Sequence, residues 1–217
     1  MKNVYHKFKI SDVISIYQQK MREQYRNNGF EGDPDFSSVY FEPKQKEHFR
    51  KDKNGHKISC GKTVFINLDA LIENLIEKYD IQNGYVIASS DHTTSSVYIN
   101  HFETGMMTDL HKHIDKTFPF NPKKYLHNKW DDEFVNGAAH LKAITMGKSA
   151  MAFIVNKKLY LGKFEDVVYA EFDYRPDKTF TIALYWEEDS PAAETAETVS
   201  KTKKTTSKKK DVNNEAK

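Results

Sequence analysis

The chain has 217 residues, enough for one domain of ordinary size with something appended, and its 38% of hydrophobic residues can supply a core if the polar residues gather at the ends. Lys and Arg number 33 against 31 Asp and Glu, a formal charge of +2, so overall charge selects no polyanionic partner. A single cysteine, Cys60, excludes an internal disulfide and a cysteine-based zinc knuckle, and no apolar run is long enough for a signal peptide or a membrane span; the expectation is a soluble, cytoplasmic protein without a membrane partner.

In chain order, Ser11 or Asp12 is expected to cap a first helix. Val13, Ile14, Tyr17 and Met21 recur at helical spacing behind it, and Asn28-Gly29 supplies a stop. A turn-rich loop follows, and residues 1–45 read as an N-terminal helical extension to a domain over 46–186. Two strands, from His48 and from Lys57 to Ile66, flank the turn signal Lys53-Asn54-Gly55. Leu68, Leu71, Ile72, Leu75 and Ile76 predict an amphipathic helix capped by Asn67 or Asp69.

Tyr85–Ser90 and Ser95–Asn100 read as paired strands around a corner at His92. A second helix is expected from Glu103 or Gly105 to Phe118, burying Met107, Leu110 and Ile114 and leaving His111 and His113 in solvent. Residues 121–136 form a loop, and Ala138–Met146 a short helix ended by Gly147. Four more strands follow, Ala150–Val155, Leu159–Leu161, Val167–Tyr174 and Thr179–Trp186, with hairpin signals at Asn156-Lys157-Lys158 and at Arg175-Pro176-Asp177-Lys178. Strands interrupted by helices and joined by short hairpins argue for an α+β sandwich of mainly antiparallel sheet. After Trp186 aromatics vanish, and the acidic stretch and the six lysines of Lys201–Lys210 predict a disordered charged tail over 187–217, whose lysines offer weak contact with nucleic acid at most. No aromatic-plus-basic strand pattern of the kind that stacks bases stands out in the sequence.

Three histidines, His92, His127 and His140, stand beside small or polar residues at element ends. Three imidazoles can hold a divalent metal, zinc or magnesium, and leave a position open. The competing reading is that each makes a backbone hydrogen bond or, when protonated, meets a phosphate. Thr93 and Thr94 offer hydroxyls and amides after a strand, and the start of the 138–146 helix attracts anions, so Thr93, Thr94, Lys142 and Ser149 are the candidate phosphate contacts.

The run His92-Thr93-Thr94 through Ile99-Asn100, the Tyr125-x-His127 pair, Ala139-His140-Leu141-Lys142-Ala143 with Gly147 and Ser149, Leu159-x-Leu161-Gly162, and Glu171-Phe172-Asp173 occur together in the order found in the YjbQ-type family, which the chain therefore resembles over residues 46–186. The resemblance implies a homotrimer and a histidine-lined pocket for a metal or a small phosphorylated molecule. Some members carry a secondary thiamine-phosphate-synthase activity, which joins an aminopyrimidine diphosphate to a thiazole phosphate. On that reading His92, Asn100, His140 and Glu165 are the candidate catalytic residues. The chain departs from the family's pattern at His101, where Glu is usual, at Lys163-Phe164-Glu165 for Thr-Trp-Gln, and at Tyr174-Arg175-Pro176 for Gly-Pro-Arg. Such drift supports an alternative, a non-catalytic trimeric binding or assembly protein that has kept the fold.

Overall fold

Alternation of buried side chains on two faces of one strand decides the architecture. In the sequence Val167-Val168-Tyr169-Ala170, Val167 and Tyr169 join one buried cluster and Val168 and Ala170 another, so this strand has core on both sides. A computed structural model describes residues 1–51, 54–130 and 135–187. The expected charged tail lies beyond them, apart from Glu187.

The strands are β1 (Lys2–Lys9), β2 (Tyr40–Phe41), β3 (His48–Lys51), β4 (Lys57–Cys60), β5 (Val64–Asn67), β6 (Asn83–Ser90), β7 (Ser95–Asn100), β8 (Ser149–Val155), β9 (Lys158–Tyr160), β10 (Asp166–Glu171) and β11 (Thr179–Trp186). The helices are α1 (Ile10–Asn27), α2 (Asp69–Lys78), α3 (Thr104–Thr117), α4 (His127–Trp130) and α5 (Gly137–Met146). A five-stranded sheet runs β1-β11-β6-β8-β9, a four-stranded sheet β2-β5-β10-β7, and β3 pairs with β4 alone. All of these pairings are antiparallel, so the α+β sandwich of mainly antiparallel sheet is what forms.

Between the sheets lies the larger core, with Val86, Ile154, Ile182 and Leu184 from one and Ile66, Val97, Val167 and Tyr169 from the other. Ile10, Val13 and Tyr17 of α1 and Ile72, Leu75 and Ile76 of α2 complete it, and the Tyr17 hydroxyl accepts from the Leu71 amide at 3.0 Å. The second core, Phe65, Val168, Ala170 and Phe172 against Met107, Ile114, Ala139 and Ala143, seats α3 and α5 on the far face of the four-stranded sheet.

Several local expectations need correction. Residues 2–9 form an edge strand in full register with β11, a pattern hidden in sequence by its interspersed lysines. Neither Ser11 nor Asp12 caps α1, because the chain turns from strand to helix ahead of both, at Lys9. Leu68 is the N-cap residue of α2; Asn67 accepts from the Asp69 amide instead, and Asp69 reaches across to the Val167 amide. The strand expected over 57–66 breaks at Gly61, whose φ of +67° suits glycine and whose missing Cβ makes room for the Phe120 ring. β6 and β7 do not pair, nor do β10 and β11; each couple straddles the two sheets. His111 is buried, not solvated, because α3 turns it toward Lys142 and Asp115. The Asn156-Lys157 hairpin does form, with φ of +51° and +63°.

Asp69 carries a pH-dependent strain. Burial first, then the neighbouring Asp166, push its carboxyl up to about 7, against the Val167 amide that favours the anion. A carboxyl whose folded value is raised favours the fold when protonated, so its contribution is lost as pH rises from about 4 through about 7. Asp69→Asn keeps the acceptor for Val167 and cannot ionise. Its melting temperature is expected to exceed the wild-type value at pH 8, with the gap closing toward pH 4.5; a gap independent of pH in thermal unfolding refutes the assignment.

Candidate functional site

Two of the crossings between sheets, β6 to β7 and β10 to β11, occur at the same end of the sandwich, where Glu171 of β10 stands opposite Ser95 of β7. The first is a corner over residues 91–94. The Ser90 hydroxyl donates to the His92 carbonyl at 2.9 Å and accepts from the His92 amide at 3.0 Å, which forces the tight reversal. Asp91 fixes the outside of the corner by accepting from the Thr179 and Thr181 hydroxyls at 2.8 and 3.0 Å and by pairing with Lys7 of β1 at 3.4 Å.

Beneath the corner lies a buried ion pair. Lys178, 8% exposed, donates from Nζ to Glu171 Oε1 at 2.7 Å, to Thr94 Oγ1 at 2.6 Å and to the Asp173 carbonyl at 2.7 Å, which occupies all three of its protons. Glu171, fully buried, also accepts from the Thr94 hydroxyl, the Tyr169 hydroxyl and the amides of Phe172 and Asp173. Thr94 is thus a buried strut and not a ligand contact. Sequence reading missed Lys178 as a partner because only folding brings it to Glu171, although a Lys in an otherwise strand-leading position was the available signal.

Above this pair, Asp91, His92, Thr93, Ser95, His140, Ala143, Ile144, Gly147 and Lys148 line an open cavity of about 390 Å³. His140 enters from the first turn of α5, which closes on Asn136 through the His140 amide at 3.1 Å. Its ring meets that of His127 edge-on, centroids 4.6 Å apart, and His127 Nε2 hydrogen-bonds Asn136 Oδ1 at 3.1 Å. Burial first, then the Lys178 ammonium, hold His92 below the ordinary imidazole value in spite of Glu171, Asp91 and Asp177. Burial and His127 do the same to His140, opposed by its hydrogen bond with the Thr93 backbone. Both rings are therefore neutral at pH 7.

The remaining candidates go elsewhere. Lys142 is buried on the other side of α5 and pairs with Asp115 of α3. Ser149 is exposed on the outer face of β8, beside the cavity but outside its lining. Asn100 and Glu165 stand at the opposite end of β7, about 17–20 Å of strand away; Asn100 accepts from the His101 amide and Glu165 from the Gly162 amide at 2.7 Å. The rings of His101 and Phe164 meet there, with centroids 5.5 Å apart. One copy of the chain thus places His92 and His140 together and keeps Asn100 and Glu165 apart from them. His92, His127 and His140 do not fit a metal-ligand set: among the described residues no three or more His, Cys, Asp or Glu side chains are placed to hold an ion.

Residues 56–187, more than half of the chain, match the family model described as UPF0047 protein YjbQ-like. The chain belongs to the YjbQ-like UPF0047 family. It is 32% identical over 108 residues to a UPF0047 protein of Archaeoglobus fulgidus, spanning 50% of this chain and 80% of that one. A UPF0047 protein of Methanothermobacter thermautotrophicus is 29% identical over 119 residues, 55% of this chain and 80% of that one. Among solved structures, a YbjQ-like protein of unknown function from Sulfolobus solfataricus superposes with a TM-score of 0.56 at 18% identity, covering 86% of this chain and 99% of its own. A YjbQ/UPF0047-family protein of Clostridium acetobutylicum gives 0.52 at 26% identity, covering 65% and 100%. For the YjbQ-like fold of this chain, no described helix is long and apolar enough to cross a membrane.

Removing one partner of a buried ion pair strands the other charge, typically at about 3–5 kcal/mol. Lys178→Met is accordingly expected to lower the urea-unfolding free energy by about that amount, and Lys178→Met combined with Glu171→Gln by less. Additive losses in this double-mutant cycle count against the pair.

Proposed function

We propose that this YjbQ-like protein binds a small phosphorylated molecule in the cavity between the 91–95 corner and α5, with His92, Thr93, His140 and Lys148 as its contacts. The observation that carries the reading is the convergence of two imidazoles, a hydroxyl and a solvent-facing ammonium on one open cavity whose floor is a fully satisfied ion network. A rigid floor preorganises the contacts, and the Thr93 hydroxyl, the His92 ring and the Lys148 ammonium are donors of the kind that take phosphate oxygens. Thiamine-phosphate-synthase-like transfer is the family chemistry to assay first; in that reaction Lys148 and the imidazoles would receive the departing diphosphate charge. Zinc or magnesium enters no step, since the histidines do not form a ligand set.

Neutral imidazoles gain a proton, and with it affinity for an anion, as pH falls through their lowered values. Sulfate, a phosphate mimic that stays dianionic over this range, titrated by NMR or calorimetry is therefore expected to bind more tightly at pH 5.5 than at 7.5, with His140→Ala and Lys148→Gln each weakening it about tenfold and His140→Ala flattening the pH response. Binding that is absent in the wild type, or unchanged in both variants, ends this reading.

A second reading, assembly through self-association into a homotrimer, has its own support. The outer face of the five-stranded sheet carries Tyr185, Tyr85, Phe153 and Tyr160 in one cross-strand row and Tyr5, Ala183, Ile87 and Met151 in the next. Tyr5, Met151, Phe153 and Tyr160 are each more than half exposed. Two adjoining rows without a charge resemble the centre of a protein interface. Light scattering on the eluting protein is expected to give three copies for the wild type and one for Phe153→Lys; a monomeric wild type removes the proposal.

A further inference from the structure

Among the described residues, the strands of the β3–β4 ribbon pair only with each other and join neither of the larger sheets. Its register sets Phe49 opposite Ser59 and Lys51 opposite Lys57, so strand alternation puts these four on one face. The other face packs on the body, where the His48 ring stacks on Phe120 with centroids 3.9 Å apart and Cys60 is buried. The outward face thus presents Phe49, 44% exposed, with the Lys57 ammonium 3.6 Å from its ring centroid and Lys51 exposed beside it. Exposed Lys44 and Lys46 lead into the ribbon. Residues 44–62 hold seven Lys or Arg against Glu47 and Asp52, a concentration of positive charge in a chain whose total is only +2. Lys62 is committed to Glu42 at 2.8 Å and Arg50 is half-buried, which leaves Lys44, Lys46, Lys51 and Lys57 facing solvent.

We propose that this ribbon binds single-stranded nucleic acid, with a base stacked on Phe49 and the flanking phosphates met by Lys51, Lys57, Lys44 and Lys46. An exposed ring among cations is the combination that holds single strands, because every unpaired base offers a π-face and every linkage a negative charge. The Lys57 ammonium stands 3.6 Å from the centroid of the half-exposed Phe49 ring, so a base that meets this ring brings its phosphate close to a cation. Duplex DNA presents no free base face to a lone surface aromatic. A membrane surface takes hold of several apolar side chains, and this face has one. The ribbon shares no lining residue with the imidazole cavity, so the two proposals stand or fall separately.

The test is fluorescence anisotropy of labelled oligothymidylate with the full-length chain, between roughly 50 and 200 mM salt. Binding should weaken with salt, and Lys51→Gln with Lys57→Gln should reduce the slope of log affinity against log salt by about 1.4. Phe49→Ala should weaken binding about tenfold with little change of slope, and Phe49→Trp should restore it. Because Lys208, Lys209 and Lys210 add charge of their own, the same titration is run with all three changed to Gln. Circular dichroism confirms that each variant is folded. Absence of binding at the low salt, ribbon variants that bind as the wild type does, loss with the tail variant alone, equal affinity for duplex, or capture only by phosphatidylserine vesicles each overturns the proposal.

Discussion

Lys178 Nζ is the point on which this structure turns. The two sheets of a sandwich need the chain to cross between them, and here both crossings near the site meet at one ammonium group that holds Thr94 from one and Asp173 from the other, with Glu171 as counter-charge. In a medium of low polarity such a charge is tolerable only when its protons are all bound. That demand fixes the corner over residues 91–94 in one geometry. The cavity above it inherits its shape, since His92 and Thr93 are parts of the same corner that Thr94 anchors.

The N-terminal segment participates in this construction. β1 completes the edge of the five-stranded sheet, and its Lys7 reaches Asp91 on the outside of the corner. α1 then lays Ile10, Val13 and Tyr17 into the core between the sheets. Residues that lie before the stretch matched by the family model are therefore packed into the same core as those within it. Among the described residues, no helix packs on the outer face of the five-stranded sheet, while both faces of the four-stranded sheet are covered.

Ring contacts and registers made between distant residues explain what was illegible beforehand. His127 and His140 belong to different helices, α4 and α5, yet their rings meet; His140 and Lys142 are two apart on one helix, yet face opposite ways, one to the cavity and one to Asp115. The helical period by itself sends residues two apart to different sides. The family resemblance groups Asn100 with His92, but the length of β7 sets them at opposite ends. Phe49 and Lys57 carried no pattern in sequence, because their contact exists only through the β3–β4 register.

The sequence by itself determined the sandwich class, the helices at 69–78, 104–117 and 137–146, the positive-φ turn at Asn156-Lys157 and the family, since these rest on local periodicity, turn chemistry and ordered motifs. Tertiary structure alone decided that β6 and β7 lie in different sheets, that an N-terminal strand joins the larger one, and which candidate residues share a cavity. The physical reason is that burial, ion pairing and strand register are set by neighbours distant in sequence: a lysine such as Lys178 reads as a surface residue until Glu171, Thr94 and the Asp173 carbonyl surround it.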